Sequence, residues 1–204
     1  MNVYHAGDLF DFKHLAGNLL LSQAIAKASC GRYNTLLPQA NEGNKLRNTS
    51  IRNGDLDMVM SCHLALLNFD GTDLDSGTVV EFMAAKMLDI PCVLLRTDFR
   101  NAGDQAVSED PWNLMCSGYP RSLTLRINAL YHETVVSPDD LAVYVHRIAK
   151  LVTGALDEVA ARPSLYAGDL EKAERVYSWF VKSCGGGFEN VMAPERIQAI
   201  LKEK

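Results

Sequence analysis

The stretch from Asn68 to Glu81, Asn-Phe-Asp-Gly-Thr-Asp-Leu-Asp-Ser-Gly-Thr-Val-Val-Glu, sets the tightest limit on what this chain can fold into. Before it, His63 to Phe69 (His-Leu-Ala-Leu-Leu-Asn-Phe) has the apolar run of a strand buried on both faces. After it, Val79 to Leu88 carries apolar residues at helical spacing. A doubly buried strand leading into a helix belongs to an open α/β sheet, where ligands bind in the crevice beyond the carboxyl ends of the strands. Asp70, Asp73, Asp75 and Glu81 are therefore candidate ligand-contacting acids.

Local backbone chemistry gives a second account of the same residues. Thr78-Val-Val-Glu81 fits a capping box, in which the Glu reaches back to an N-cap amide and only closes the helix start. Asp and Gly also populate turns for reasons unconnected with ligands. On this segment alone the two readings stand level.

The rest of the chain continues the alternation. Asn2 to Ala6 reads as a first strand, Gly7-Asp8-Leu9-Phe10 as a turn, His14 to Ser29 as a helix ended by Gly31, and Tyr33 to Leu37 as a second strand. Ile51 to Cys62 reads as a helix, His63 to Phe69 as the third strand, Thr78 to Leu88 as a helix, and Cys92 to Arg96 as the fourth strand after the breaker Pro91. Alternating β and α elements predict a parallel sheet with helices on both faces. From Thr97 to Arg121 the pattern dissolves into a segment longer than the usual connection, expected to border the site. Ser137-Pro138-Asp139-Asp140 opens a helix with an N-cap Ser, Pro in the first turn and acids facing the dipole, running to about Ala161. Two further helices, Gly168 to Ser183 and Ala193 to Lys202, flank the hinge Gly185-Gly186-Gly187. The predicted organisation is an α/β domain over residues 1–136 and a C-terminal helical extension over 137–204, packed on that domain or on a neighbouring subunit.

Composition narrows the partners. With 204 residues, 48% hydrophobic, a formal net charge of -5 and a basic patch nowhere in evidence, the chain is expected to bind a small molecule rather than nucleic acid or an anionic membrane. Five widely spaced cysteines, Cys30, Cys62, Cys92, Cys116 and Cys184, form no C-x-x-C pair and read as reduced thiols of a cytoplasmic protein. The histidines His5, His14, His63, His132 and His146 lack metal-ligand spacing, so no metal is expected. Asn2-Val3-Tyr4 follows the first Met directly, with no basic and apolar leader, and no run reaches the ~20 apolar residues of a membrane span.

Four segments resemble the nucleoside 2-deoxyribosyltransferases, which move 2-deoxyribose between nucleobases. Tyr4-His5-Ala6-Gly7-Asp8-Leu9-Phe10 is similar to the family's Tyr-x-Ala-Gly-x-x-Phe turn, and Asn53-Gly54-Asp55 to its acid at a helix start. Asp75-Ser76-Gly77-Thr78-Val79-Val80-Glu81 matches its central motif. Asn113-Leu114-Met115 matches the Asn-Leu-Met that members lend to a neighbouring subunit's pocket. The four occur in the family's order across about residues 1 to 120. The fold implied is flavodoxin- or Rossmann-like.

The resemblance implies that Glu81 is the nucleophile, that Asp55 is the acid at the base and that Tyr4 orients Glu81. It implies that Asp75 accepts hydrogen bonds from the sugar hydroxyl, that Gln39 meets the base, and that Gly7, Phe10 and Gly77 border the substrate. Asn113 and Met115 would close the 5'-hydroxyl end from a partner subunit, which requires a homo-oligomer, and no cofactor is called for. Each position has a plainer account: Asp55 as a first-turn acid facing a helix dipole, Tyr4 as core, Gln39 as a loop amide, Met115 as ordinary packing. His5, in the Tyr4 turn, could touch the base. Trp112 could stack on the base or anchor its loop, and Arg96, Asp98 and Arg100 could order the loop after the fourth strand or form an exposed ion pair.

Three departures qualify the resemblance. Asp8 stands where many members carry an apolar or proline residue and His63 where an acid is common, and about 80 residues follow the last matched segment, so Lys204 is not assigned the terminal-carboxylate role of short members. Two other functions fit the same crevice. One is a 2'-deoxynucleoside 5'-monophosphate N-glycosidase, disfavoured because Asp8 and Asp11 would repel a phosphate dianion. The other is a non-catalytic nucleotide-sensing module.

Overall fold

A computed structural model describes residues 1–42, 49–130, 134–166 and 168–204, the side chains of 41 and 42 excepted. His132 lies outside the described residues. Five strands, β1 (Asn2–Ala6), β2 (Asn34–Leu36), β3 (Leu64–Asn68), β4 (Cys92–Arg96) and β5 (Ser122–Arg126), form one sheet in the order β2-β1-β3-β4-β5. Every pairing is parallel, with Tyr4 opposite Ala65 and Leu66 opposite Val93. This is the flavodoxin-like order, and its direction of travel reverses between β1 and β3.

The helices are α1 (Phe12–Ala28), α2 (Gln39–Glu42), α3 (Thr49–Ser61), α4 (Ser76–Met87), α5 (Pro138–Ala160), α6 (Leu170–Cys184), α7 (Phe188–Val191) and α8 (Pro194–Glu203). Alternation along the strands feeds two cores. Val3, Leu64, Leu66, Val93 and Leu95 face α1 and α5, while Tyr4, Ala6, Ala65, Leu67 and Leu94 face α3, α4 and the C-terminal helices.

Helix α5 starts where the sequence predicts, with Ser137 and Asp140 forming a complete capping box and Pro138 in the first turn. Its buried residues Ile148, Val152, Ala155, Leu156 and Val159 repeat at helical spacing and seal the α1 side of the sheet. On the opposite side, Ala173, Tyr177, Phe180 and Val181 of α6 and Ile197 and Ile200 of α8 complete the other core. The segment from 137 onward thus covers both faces of the sheet.

The sequence pattern does not announce β5. Ser122-Leu-Thr-Leu-Arg126 alternates, yet it forms the edge of the sheet with only Leu123 and Leu125 packed against the α5 core. The short helices α2 and α7, four residues each, also go unread in the sequence. No helix among the described residues is long and apolar enough to cross a membrane.

Candidate active site

Helix α4 begins at Ser76, two residues before the Thr78 of the capping-box reading, and its N-cap is Asp75. Asp75 Oδ2 accepts from the Thr78 amide at 2.7 Å and from the Thr78 hydroxyl at 2.8 Å. The intervening residue has little room: a Cβ on Gly77 would lie 3.0 Å from Asp75 Oδ2. With Asp75 closing the helix start, Glu81 is released from the capping role that Thr78-Val-Val-Glu81 suggested. It sits more than a turn along α4 and accepts a hydrogen bond from the Tyr4 hydroxyl at 2.5 Å.

Tyr4 comes from β1 and is fully buried. Burial, and then the negative charges of Glu81 and Asp55, hold its pKa well above the ordinary phenol value. The phenol therefore stays protonated and donates to Glu81.

These groups surround a cavity of about 250 Å³ lined by Gly7, Leu9, Phe10, Pro38, Asp55, Asp75, Ser76, Gly77, Thr78 and Glu81. It lies beyond the carboxyl ends of β1 and β3, at the point where the strand order reverses. Six residues singled out in the sequence, Gly7, Phe10, Asp55, Asp75, Gly77 and Glu81, meet there, with Tyr4 beneath Glu81. Leu9, Pro38 and Ser76 join them without a sequence signal beyond their adjacency to Gly7, Gln39 and Asp75.

The other candidates lie elsewhere. Gln39 opens α2 and donates its amide to the Leu15 carbonyl at 3.2 Å, leaving the cavity wall to Pro38. Asn113 caps a single 3-10 turn, Leu114–Cys116, by accepting from the Met115 amide at 3.0 Å. Asn113, Leu114 and Met115 are exposed and do not line this cavity. Trp112 is buried, donates to Ser117 Oγ at 3.1 Å and meets the Phe69 ring edge-on at 5.1 Å, so it anchors its loop. His5 points to the opposite face of β1 from Tyr4 and does not reach the cavity; burial lowers its pKa to about 4.

Two acids of the Asn68–Glu81 segment separate from the rest. Asp73 is exposed. Asp70 is occupied by structure: Oδ1 accepts from the Thr97 and Asp98 amides at 2.5 and 2.7 Å, and Oδ2 from the Thr97 hydroxyl at 2.7 Å. Arg96, 1% exposed, complements this brace by donating to the carbonyls of Phe69, Gly71 and Arg100. Arg100 in turn pairs with Asp98 at 2.5 Å. Arg96 therefore orders the loops after β3 and β4 from within rather than by a surface ion pair.

A second cavity, of about 270 Å³, lies at the amino ends of β3 and β4, against α6 and α8. Among its charged residues Asp89 accepts from Arg121 at 2.6 Å, Ser164 at 2.7 Å and the Leu165 amide at 2.8 Å, Asp169 caps α6, and Lys204 donates to the Tyr177 hydroxyl at 3.0 Å. The convergent carboxylates lie in the smaller cavity, which is the better candidate for chemistry. Among the described residues no group of three or more His, Cys, Asp or Glu side chains is arranged to hold a metal ion.

Residues 3–115, more than half of the chain, match the family model described as nucleoside 2-deoxyribosyltransferase. Among solved structures the chain is similar to a conserved protein from Enterococcus faecalis V583, at 24% identity and a TM-score of 0.48, covering 72% of this chain and 98% of that one. It is also similar to a 2-deoxyribosyltransferase from Leishmania mexicana, at 19% identity and 0.47, covering 71% and 96%. A third, the 2-deoxyribosyltransferase of Bacillus psychrosaccharolyticus, is 17% identical with a TM-score of 0.43, covering 49% of this chain and 75% of that one. No curated protein matches.

Proposed function

The chain belongs to the nucleoside 2-deoxyribosyltransferase family, and from that premise we propose that it transfers 2-deoxyribose between nucleobases by double displacement through Glu81. The observation that carries this reading is the Tyr4–Glu81 hydrogen bond at 2.5 Å, set beside Asp55 and Asp75 in one cavity at the switch point of the sheet.

In the first half-reaction a Glu81 carboxylate oxygen attacks the anomeric carbon as the bond to the base nitrogen breaks. The bonding electrons leave with the base, and Asp55 supplies a proton so that it departs neutral. The product is a deoxyribosyl ester of Glu81. In the second half-reaction a nitrogen of another base attacks the same carbon, Glu81 is released as carboxylate, and the incoming base returns a proton to Asp55. Two inversions give net retention, and the anion beneath the ring stabilises the oxocarbenium-like state in both directions.

Tyr4 donates to one Glu81 oxygen and fixes the carboxylate. Asp75 accepts from the sugar hydroxyl, while Gly7, Phe10 and Gly77 line the sugar and base subsites. Gln39 serves the base only if its amide leaves the Leu15 carbonyl. Asn113 and Met115 act on a neighbouring copy of the chain, closing the 5'-hydroxyl end in a homo-oligomer. What supports this last assignment is that Leu114 and Met115 stand exposed, at 53% and 68%, and outside this cavity. The setting is nucleoside salvage in the cytoplasm, and no cofactor takes part.

The test is base exchange followed by chromatography. Wild type mixed with deoxyinosine and adenine yields deoxyadenosine, and Glu81→Ala yields none; thymidine as donor then separates purine-only from broad specificity. Free hypoxanthine without deoxyadenosine assigns the protein to hydrolysis. No turnover, together with saturable binding and no covalent adduct from a 2'-fluoro-2'-deoxynucleoside, assigns it to the sensing class.

A further inference from the structure

Helix α3 carries Asp55 and is tied to the C-terminal segment on both sides of that residue. Asn53, 5% exposed, donates Nδ2 to the Gly186 carbonyl at 3.0 Å. Arg52 Nη2 donates to the Gly185 carbonyl at 3.0 Å, and Arg52 Nη2 and Nε also donate to Asn53 Oδ1 at 2.7 and 3.2 Å. The oxygen and nitrogen of the Asn53 amide are thus both engaged. One turn later, Asp57 Oδ1 accepts from Arg196 Nη2 of α8 at 2.5 Å.

The turn that receives α3 is shaped for close approach. Gly185, Gly186 and Gly187 have φ of +55°, +60° and +77°, in the left-handed region that favours glycine. A Cβ on Gly186 would stand 2.6 Å from Arg52 Nη2. Beneath these polar ties, Leu56, Val59 and Met60 of α3 share one core with Tyr177, Phe180, Phe188 and Ile197.

The apolar contact holds α3 on the sheet and turns its apolar face inward, but hydrophobic burial is non-directional and does not by itself fix small turns or slides of the helix. Directed hydrogen bonds do. Asp55 is two residues from Asn53 and two from Asp57, which puts it about 200° around the helix from each. It lies across the helix from Asn53 and Asp57 and lines the cavity, while Arg52, Asn53 and Asp57 do not. Any rotation or slip of α3 is therefore delivered to its carboxyl.

We propose that the Gly185–Gly187 turn and α8 act as a clamp that sets the rotation and height of α3, with Arg52, Asn53 and Asp57 as positioning residues for the Asp55 carboxyl. The proposal rests on Asp55 being the acid at the base, as assigned above. It gives a catalytic consequence to a segment that lies beyond the 3–115 family match.

The test compares base release from two donors in Asn53→Asp, Gly186→Ala and Arg196→Ala. Deoxyinosine needs a proton on its leaving base; 4-nitrophenyl 2-deoxyriboside does not need one on its leaving phenolate. Asn53→Asp keeps the side-chain shape but turns an acceptor toward the Gly186 carbonyl, and Arg196→Ala alters only a surface tie. A misplaced catalytic group costs about ten- to a hundredfold, so Asn53→Asp and Gly186→Ala are expected to lose that much kcat on deoxyinosine and less than threefold on the nitrophenyl donor. Arg196→Ala shows a smaller loss of the same kind, and hydrogen exchange of the α3 amides from 54 to 58 quickens in all three.

Equal losses on both donors, following a lowered unfolding midpoint, would reduce the ties to general stability and overturn the clamp, as would unchanged exchange in α3. Asp55→Asn and Glu81→Ala are run alongside. Asp55→Asn with full activity on deoxyinosine sinks the acid assignment itself, and the exchange of α3 then decides separately whether the ties hold the helix.

Discussion

The Tyr4 hydroxyl donates to Glu81 Oε1 at 2.5 Å, joining the first strand of the sheet to a helix that begins 70 residues later. Hydrogen bonds of a hydroxyl to a carboxylate are short and about twice as strong as neutral ones. This one selects a single Glu81 rotamer. Tyr4→Phe keeps the buried ring and removes only the donor, so the carboxylate loses its fixed direction. The expected result is a fall in kcat for base exchange of about ten- to a hundredfold, with KM changed much less. A loss confined to KM would place Tyr4 in binding rather than in orientation.

Asp75 has two duties that substitution can separate. Its Oδ2 caps α4 through the Thr78 amide, and its carboxylate also lines the cavity. Asn is as good an N-cap as Asp, whereas Ala costs about 1 kcal/mol of helix stability. Asp75→Asn is expected to hold the melting temperature and raise KM for deoxynucleosides about tenfold or more, the change corresponding to at least ~1.4 kcal/mol. Asp75→Ala loses both. Thermal denaturation and steady-state kinetics on the pair check this, and unchanged KM in Asp75→Asn would restrict Asp75 to the cap.

Much of the sheet was legible because β3 and β4 are near-continuous apolar runs and turn residues or Pro91 bound the inner strands. Asn2–Ala6 and Cys92–Arg96 have the bounds that the sequence suggests, and Leu64–Asn68 differs by one residue at each end. Edge strand β5 was not legible, since a half-exposed alternating segment after a long loop gives a weak signal. The acids show a different limit. Spacing put Asp70, Asp73, Asp75 and Glu81 in one crevice, but what each does depends on partners from other elements: Thr97 for Asp70 and Tyr4 for Glu81. The same holds for Gln39, whose amide goes to Leu15. Local sequence delivers a polar group to a region; the long-range partner decides its use.

His5 gives a pH dependence whose sign is fixed. It is 1% exposed, and burial lowers its pKa from 6.5 to about 4. Between those values the unfolded chain binds the proton and the native protein does not, so stability rises with pH. Falling pH therefore removes stability progressively from about 6.5 down to about 4, by roughly 3 kcal/mol over the whole window. His5→Leu, which cannot take the proton, is expected to flatten the curve over that window. Urea denaturation at pH 4.5 and 7.5 measures it; parallel pH curves for the two proteins would exclude His5 as the source.

Arg96 is placed to matter for stability without touching substrate. Its buried guanidinium donates to the Phe69, Gly71 and Arg100 carbonyls, and Arg96→Met leaves those acceptors without their donor. Each unsatisfied buried group costs about 1–3 kcal/mol. The variant is expected to lose several kcal/mol of unfolding free energy and to quicken hydrogen exchange in the 97–104 loop. Wild-type stability would show that the loops after β3 and β4 hold each other without this brace.

The exposed Asn113-Leu-Met turn carries the prediction about assembly. Leu114 is 53% and Met115 68% exposed, on a turn fixed by Asn113 and by the Asp104 carboxylate, which accepts from the Leu114 amide at 2.9 Å. Under the function proposed above, this exposed apolar turn inserts into the cavity of another copy. If each cavity takes its catalytic groups from one copy and this knob from another, Glu81→Ala and a Met115→Glu variant are each inactive alone. Mixing them after subunit exchange allows one intact cavity to form, from a Met115→Glu subunit supplying Glu81 and a Glu81→Ala subunit supplying Met115. In a dimer with two such cavities, random pairing of equal amounts makes half the dimers mixed, and each mixed dimer has one working site of two. About a quarter of wild-type activity is therefore expected, since symmetric dimers are the commonest assembly. An active Met115→Glu protein, or a mixture with no regained activity despite exchange of subunits, would show that each cavity is completed by its own chain.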